Sequence, residues 1–178
     1  MNAKNGLVVA LSMALTVTAC GRNPAPQPAA PQQEVAARPT SDSDAAARAA
    51  REAEEARQRE LQRIRGVLGT RVHFDYDDSS IRSDAKRTLD EKLPLLRQDA
   101  TWQLTIEGHA DERGSTEYNV ALGMRRAVAV RDYFVGFGLS PQRFQTVSYG
   151  EERPLATGSN DGAWSQNRRA EFQAMGGN

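Results

Sequence analysis

The stretch WQLTIEGHADERGSTEYNVALGMRRAVAV, residues 102–130, carries two hydrophobic periods in succession. Trp102, Leu104 and Ile106 alternate with Gln103, Thr105 and Glu107, the period of a strand with one buried face. A polar loop bounded by Gly108 and Gly114 follows. The spacing beyond it predicts a helix over about 116–136, with Val120, Met124, Ala127, Val128 and Phe134 as its core face and Gly136 and Gly138 as its stop. A strand that leads into a helix through a short polar loop is a building unit of an α/β layer, and the rest of the chain is read outward from it.

Upstream, Val72, Phe74 and Tyr76 alternate as a short strand. Ser80 or Ser83 is placed to cap a helix whose apolar positions Ala85, Leu89, Leu93 and Leu96 recur at helical spacing, with Pro94 expected to shorten or bend it. Downstream, Phe144–Tyr149 reads as a third strand ending at a Gly150 turn. A loop through Pro154, Gly158 and Gly162 then leads to a last strand over Arg169–Met175. The order β-α-β-α-β-β implies a mixed sheet with helices packed on one face, an α/β (α+β) two-layer sandwich over residues 68–178.

The amino end reads differently. Residues 1–19 have a short polar start with Lys4, an apolar run from Leu7 to Val17, and small residues before Cys20, the layout of an export signal. The apolar run is about a dozen residues, against the roughly 20 a membrane-spanning helix needs. Cys20 is the only cysteine, so no internal disulfide is available in an exported chain. Val17-Thr18-Ala19-Cys20 resembles the lipobox of bacterial lipoproteins, which implies that Cys20 is lipidated, and Gly21 after it resembles the outer-membrane sorting class. Residues 20–67 then form a tether. A Pro-, Gln- and Ala-rich spacer extends to about residue 44 and would span roughly 75 Å in a polyproline conformation. A solvated helical stalk rich in Ala, Arg and Glu follows over 44–65.

The 23 basic and 23 acidic residues balance, so no global charge points to nucleic acid; function must sit in a local site. Residues 108–114, GHADERG, are polar between strongly patterned elements, where functional loops are common. Their glycine spacing does not make a phosphate cradle. A zinc reading is poor as well, because the chain has only His73 and His109 and no HExxH arrangement. His109 directly follows a buried strand and reads as a structural hydrogen-bonding residue before a general base. Asn119 and Arg126, seven apart, emerge from nearly the same side of their helix. A partly buried Arg126 can clamp a carboxylate with two parallel hydrogen bonds, and Asp111 can receive an ammonium group. The pair is therefore either a receptor for a zwitterionic amino-acid head group or an internal ion pair.

The run Gly108 to Ala127, together with Val72-His73-Phe74-Asp75-Tyr76, Ser148-Tyr149-Gly150-Glu151-Glu152-Arg153-Pro154 and Asn167-Arg168-Arg169-Ala170-Glu171, resembles the OmpA-like peptidoglycan-binding domain family, particularly its lipid-anchored, peptidoglycan-associated branch. The resemblance covers about residues 70–174. It implies a non-catalytic domain, without cofactor or metal, that grips meso-diaminopimelate of the peptidoglycan stem peptide. By matched motif, Asp111 would bind the ammonium and Arg126 the carboxylate. Asn119 would add hydrogen bonds, Phe74 and Asp75 would line the pocket, the latter through its backbone, and Leu122 would lie along the aliphatic stem. One of Arg168 and Arg169 would pair with an acid structurally. The resemblance further implies an outer-membrane lipoprotein with its domain in the periplasm, working with TolB and other Tol components in envelope integrity and cell division. The alternative from another class is a peptidoglycan-processing enzyme using His109, Asp111 and Glu112.

Overall fold

The computed structural model describes residues 41–177. The export signal over 1–19, the lipidation of Cys20 and nearly all of the proline-rich spacer lie outside the described residues. Among those residues, no helix is long and apolar enough to cross a membrane.

Helix α1 spans Ser41–Gly69. Its exposed length is held by charge pairs three and four apart, such as Arg57 with Glu54 and Arg63 with Glu60. It begins before Asp44 and runs past Arg65, because Leu61, Ile64 and Leu68 bring its last turns onto the domain core. The expected domain boundary at 68 thus falls inside a continuous helix. The carbonyls at that end would lack partners. Lys92 supplies them: its buried Nζ donates to the carbonyls of Val67 (2.6 Å), Leu68 (3.0 Å) and Thr70 (2.8 Å).

Strand β1 is only Val72–His73, not the run to Tyr76 that alternation predicts. The chain leaves the sheet after Phe74, whose N–H still reaches the Arg168 carbonyl at 3.0 Å. Tyr76 is exposed, and Asp77 has a left-handed φ of 52°. The carbonyls of Asp75 and Asp78 are taken by Arg126 instead of by a neighbouring strand. Helix α2, Ser83–Gln98, has Arg82 at its N-cap and neither Ser80 nor Ser83 capping it. It continues through Pro94 to bury Ala85, Leu89, Leu93 and Leu96.

Strand β2 (Gln103–His109), helix α3 (Thr116–Gly136), strand β3 (Phe144–Gly150), helix α4 (Asp161–Asn167) and strand β4 (Arg169–Met175) complete the domain. The sheet order is β1-β4-β2-β3, with β2 parallel to β3 and antiparallel to β4, and β1 antiparallel to β4. This is the mixed sheet expected, since α3 provides the crossover that parallel strands require. One core joins Leu89, Leu93 and Leu96 of α2, Ala127, Val130 and Phe134 of α3, and Leu104, Ile106, Ala170 and Phe172 of the sheet. Both helices therefore cover one face. The other face carries Glu107, His109 and Glu171.

The core face of α3 differs from the predicted one. Val120 and Met124 are exposed, and Asn119, Leu122, Gly123, Arg126, Ala127, Val130 and Phe134 are buried. The helix is turned because Gly123 lies directly against Gly108 of β2, which sends a polar stripe, Asn119 and Arg126, inward. Helix α4, read as loop from its glycines, starts at Asn160, whose side chain accepts from the Ala163 N–H at 3.0 Å.

Candidate functional site

The polar loop after β2 is fixed at both ends. Ala110 N–H donates to the Gly150 carbonyl at 2.8 Å. Gly114 adopts a φ of 116°, which favours glycine, and Ser115 caps α3 by accepting from the Tyr118 N–H at 3.2 Å. Loop, helix and the turn after β1 enclose a cavity of about 90 Å³. Asp111, Asn119, Leu122 and Arg126 line it, together with Tyr76, Asp77, Arg113, Gly114 and Tyr118.

Arg126 is fully buried. Its guanidinium donates to the carbonyls of His109 (Nη1, 2.7 Å), Asp78 (Nε, 2.8 Å) and Asp75 (Nη2, 3.0 Å), with the Phe74 ring 5.2 Å away. Among the described residues it makes no ion pair. Of the five N–H groups of a guanidinium, one on each terminal nitrogen is left without an acceptor. Burial pulls its pKa down to about 10, with the nearby Asp111 charge opposing, so it remains a cation at neutral pH.

Asp111 is only 4 % exposed and has other partners. Arg113 grips it through Nε (3.0 Å), Nη2 (2.7 Å) and its own N–H (3.1 Å), and Arg168 Nη1 lies at 3.3 Å. Burial alone would raise its pKa; the hydrogen bonds from Arg113, then Arg168, outweigh that and hold it below the usual carboxylate range. Asp111 and Arg126 thus line one cavity without pairing directly. Arg113 is itself sandwiched, its Cζ 3.9 Å from the Tyr76 ring and 4.1 Å from the Trp164 ring.

Asn119 donates to Glu151 across the cavity rim, and Tyr118 Oη donates to Asp77. Phe74 and Asp75 stand behind the cavity: Phe74 lies against Arg126, the Asp75 carbonyl holds Nη2, and the Asp75 carboxylate pairs with Arg82 at 2.7 Å. Both arginines of the Asn-Arg-Arg run are paired, Arg168 with Asp111 and Arg169 with Glu171 (2.6 Å). Tyr76 and Tyr118 lay inside the motif runs but were given no site role, the first being assigned to a strand, and Asp77 lay just beyond them; Arg113 and Gly114 lay in the loop already singled out.

The three groups of the enzyme alternative do not converge. Glu112 accepts from Trp164 Nε1 at 3.0 Å, Asp111 is held by two arginines, and the His109 ring lies against Tyr149, centroids 5.7 Å apart. Among the described residues His109 makes no side-chain hydrogen bond, unlike the expectation for it. Burial first, then the charge of Arg169, pushes its pKa down to about 4.

Comparison with known proteins agrees with this architecture. The model of the OmpA family matches residues 73–168. The peptidoglycan-associated lipoprotein of Rhizobium meliloti (strain 1021) is 52% identical over 103 residues, covering 58% of each chain. That of Pseudomonas putida is 47% identical over 104 residues, 58% of this chain and 62% of the other. The chain thus matches about three fifths of the length of these curated relatives. The crystal structure of the peptidoglycan-associated lipoprotein from Burkholderia pseudomallei superposes with a TM-score of 0.58 at 36% identity, over 59% of this chain and 89% of that one. The C-terminal domain of Helicobacter pylori MotB shares the fold at a TM-score of 0.55 and 17% identity. With the family model matching more than half of its residues and the fold shared, the chain belongs to the OmpA family.

Proposed function

We propose that this chain is a non-catalytic, lipid-anchored outer-membrane protein that holds peptidoglycan by the free zwitterionic end of meso-diaminopimelate in the stem peptide. One observation carries the reading. Among the described residues Arg126 is a buried cation in no direct ion pair, with two N–H groups unused, and it borders a cavity whose other buried charge is the carboxylate of Asp111. A buried charge is costly without a partner, and a carboxylate from outside would satisfy it in bidentate fashion. The ammonium of the same ligand would join Asp111 in place of Arg113, with Asn119 at the rim and Leu122 against the aliphatic stem. Phe74 and Asp75 act from behind by fixing Arg126.

The test is co-sedimentation of the purified protein with isolated cell walls. Binding to diaminopimelate-type walls is expected, competed by free diaminopimelate muropeptide. Walls carrying lysine at that position lack the carboxylate and are expected to bind poorly; equal binding to both types would refute the Arg126 assignment. Release of soluble wall fragments would instead favour an enzyme. The family resemblance also supports partnership with TolB and the Tol system, with Cys20 as the lipid anchor. Co-purification of TolB with the full chain, and mass analysis of its mature amino end, test these two points.

A further inference from the structure

Away from α2 and α3, the opposite face of the sheet gathers three side chains that the cavity does not use. Glu107 and Glu171 are directly opposed across the β2–β4 ladder. His109 follows Glu107 by two residues and so shares its face. A carboxylate oxygen from each glutamate and one ring nitrogen of His109 all lie within 4.8 Å of one another.

Taken as a protein-only cluster, this arrangement is poorly satisfied. Like charges directly opposed on a ladder repel. Glu171 is compensated by Arg169 at 2.6 Å and Arg71 at 3.6 Å, but Glu107 makes no hydrogen bond or ion pair among the described residues. His109 is 1 % exposed, and among the described residues neither Nδ1 nor Nε2 has a partner. A neutral imidazole has one donor and one lone pair, and both are unmet here although buried polar groups are ordinarily bonded. One species answers the bare carboxylate and the bare lone pair together: a cation that accepts both nitrogen and oxygen ligands.

We propose that Glu107, His109 and Glu171 form a binding site for a divalent transition-metal cation, Zn2+ foremost, pinning β2 to β4 on the face of the sheet away from α2 and α3. A mixed imidazole and carboxylate set suits zinc, whereas calcium and magnesium favour oxygen alone. Tetrahedral zinc with bonds of about 2.1 Å needs donors roughly 3.4 Å apart, so the three atoms must draw together modestly. The half-buried glutamate side chains allow this; the His109 ring is fixed against Tyr149. Water completes the coordination. Arg169 and Arg71 already offset part of the negative charge of Glu171, which weakens the site relative to three free ligands. None of its three side chains lines the Asp111/Arg126 cavity; only the main-chain carbonyl of His109 faces that way, holding Arg126 Nη1.

The experiment is calorimetric titration of Zn2+ into the purified full chain after chelator treatment, with thermal melts in parallel. One saturable site per chain and a higher melting temperature with Zn2+ are expected, with Mg2+ at the same concentration producing neither. Glu107→Gln, which removes a charge without breaking any hydrogen bond, is expected to weaken Zn2+ binding at least tenfold while leaving cell-wall binding unchanged; His109→Gln should do the same to Zn2+. Cobalt substitution should give visible absorption that Glu107→Gln removes. Absence of saturable binding, or binding of equal strength in Glu107→Gln, overturns the proposal.

Discussion

Gly123 of α3 rests on Gly108 of β2 so closely that a Cβ on Gly123 would stand 2.7 Å from the Gly108 carbonyl oxygen. This contact sets the rotation of α3 and hence the inward aim of Asn119, Leu122 and Arg126. The Ser148 hydroxyl stands nearer still, and the Gly108 carbonyl is backbone, which cannot move aside cheaply. Overpacking of a core typically costs about 1–3 kcal/mol. Gly123→Ala is therefore expected to lower stability by at least about 2 kcal/mol in urea denaturation and to weaken cell-wall binding in proportion to the disturbance of α3. An unchanged midpoint would mean that α3 stands further from the sheet.

Arg126 gathers the carbonyls of Asp75, Asp78 and His109, joining the turn after β1 to the end of β2. Its removal should affect folding and recognition together. For Arg126→Ala the expectation is a loss of about 3 kcal/mol or more of stability, since buried carbonyls lose their donors, and loss of binding. Arg126→Lys should rescue little of either, because an ammonium cannot reproduce the planar fork. Denaturation and sedimentation on the same preparations check both halves.

Arg113 occupies the Asp111 carboxylate that the proposed ligand would use. As a competitor for that carboxylate, and a like charge to the incoming ammonium, it should oppose binding. Arg113→Ala is expected to tighten binding of diaminopimelate muropeptide severalfold, measured by calorimetry. A marked weakening would show that Arg113 contacts the ligand itself.

Lys92 closes the end of α1 through three carbonyls, and Arg143 likewise gathers those of Leu96, Asp99 and Trp102. With Arg126, these cations bind the irregular joints of the domain. Lys92→Met keeps the chain length but leaves the helix end unpartnered. We expect a loss of about 2–4 kcal/mol and faster amide exchange in the last turns of α1, around Leu61–Gly69. This is the segment through which pull from the amino end would reach the domain.

The strand-loop-helix unit over 102–136 and the strands at 144 and 169 were readable because their periodicity is governed by a single buried face. The rotation of α3 was not, because it follows from a glycine-to-glycine contact between distant segments, and apolar Val120 and Met124 look like core residues until that contact exists. Asp111, Asn119, Leu122 and Arg126 were legible as a set through motif and spacing, whereas Tyr76, Asp77 and Tyr118 join the cavity only when the chain turns after Phe74. The contact of Arg168 with Asp111 brings together residues 57 positions apart, which no local pattern encodes. Likewise Glu107, His109 and Glu171 meet across two strands and have no ligand spacing to recognise.

The central claim is that Arg126 and Asp111 read the two charges of one amino-acid end. Calorimetric titration of the purified protein with two soluble muropeptides, identical except for meso-diaminopimelate or lysine in the stem, tests it most directly. Leaving one partner of a buried charge pair unmatched costs about 2–5 kcal/mol. The diaminopimelate form is therefore expected to bind at least tenfold more tightly, with Asp111→Asn removing most of that affinity while the protein stays folded. Equal affinity for the two muropeptides, or full binding by Asp111→Asn, would contradict the account.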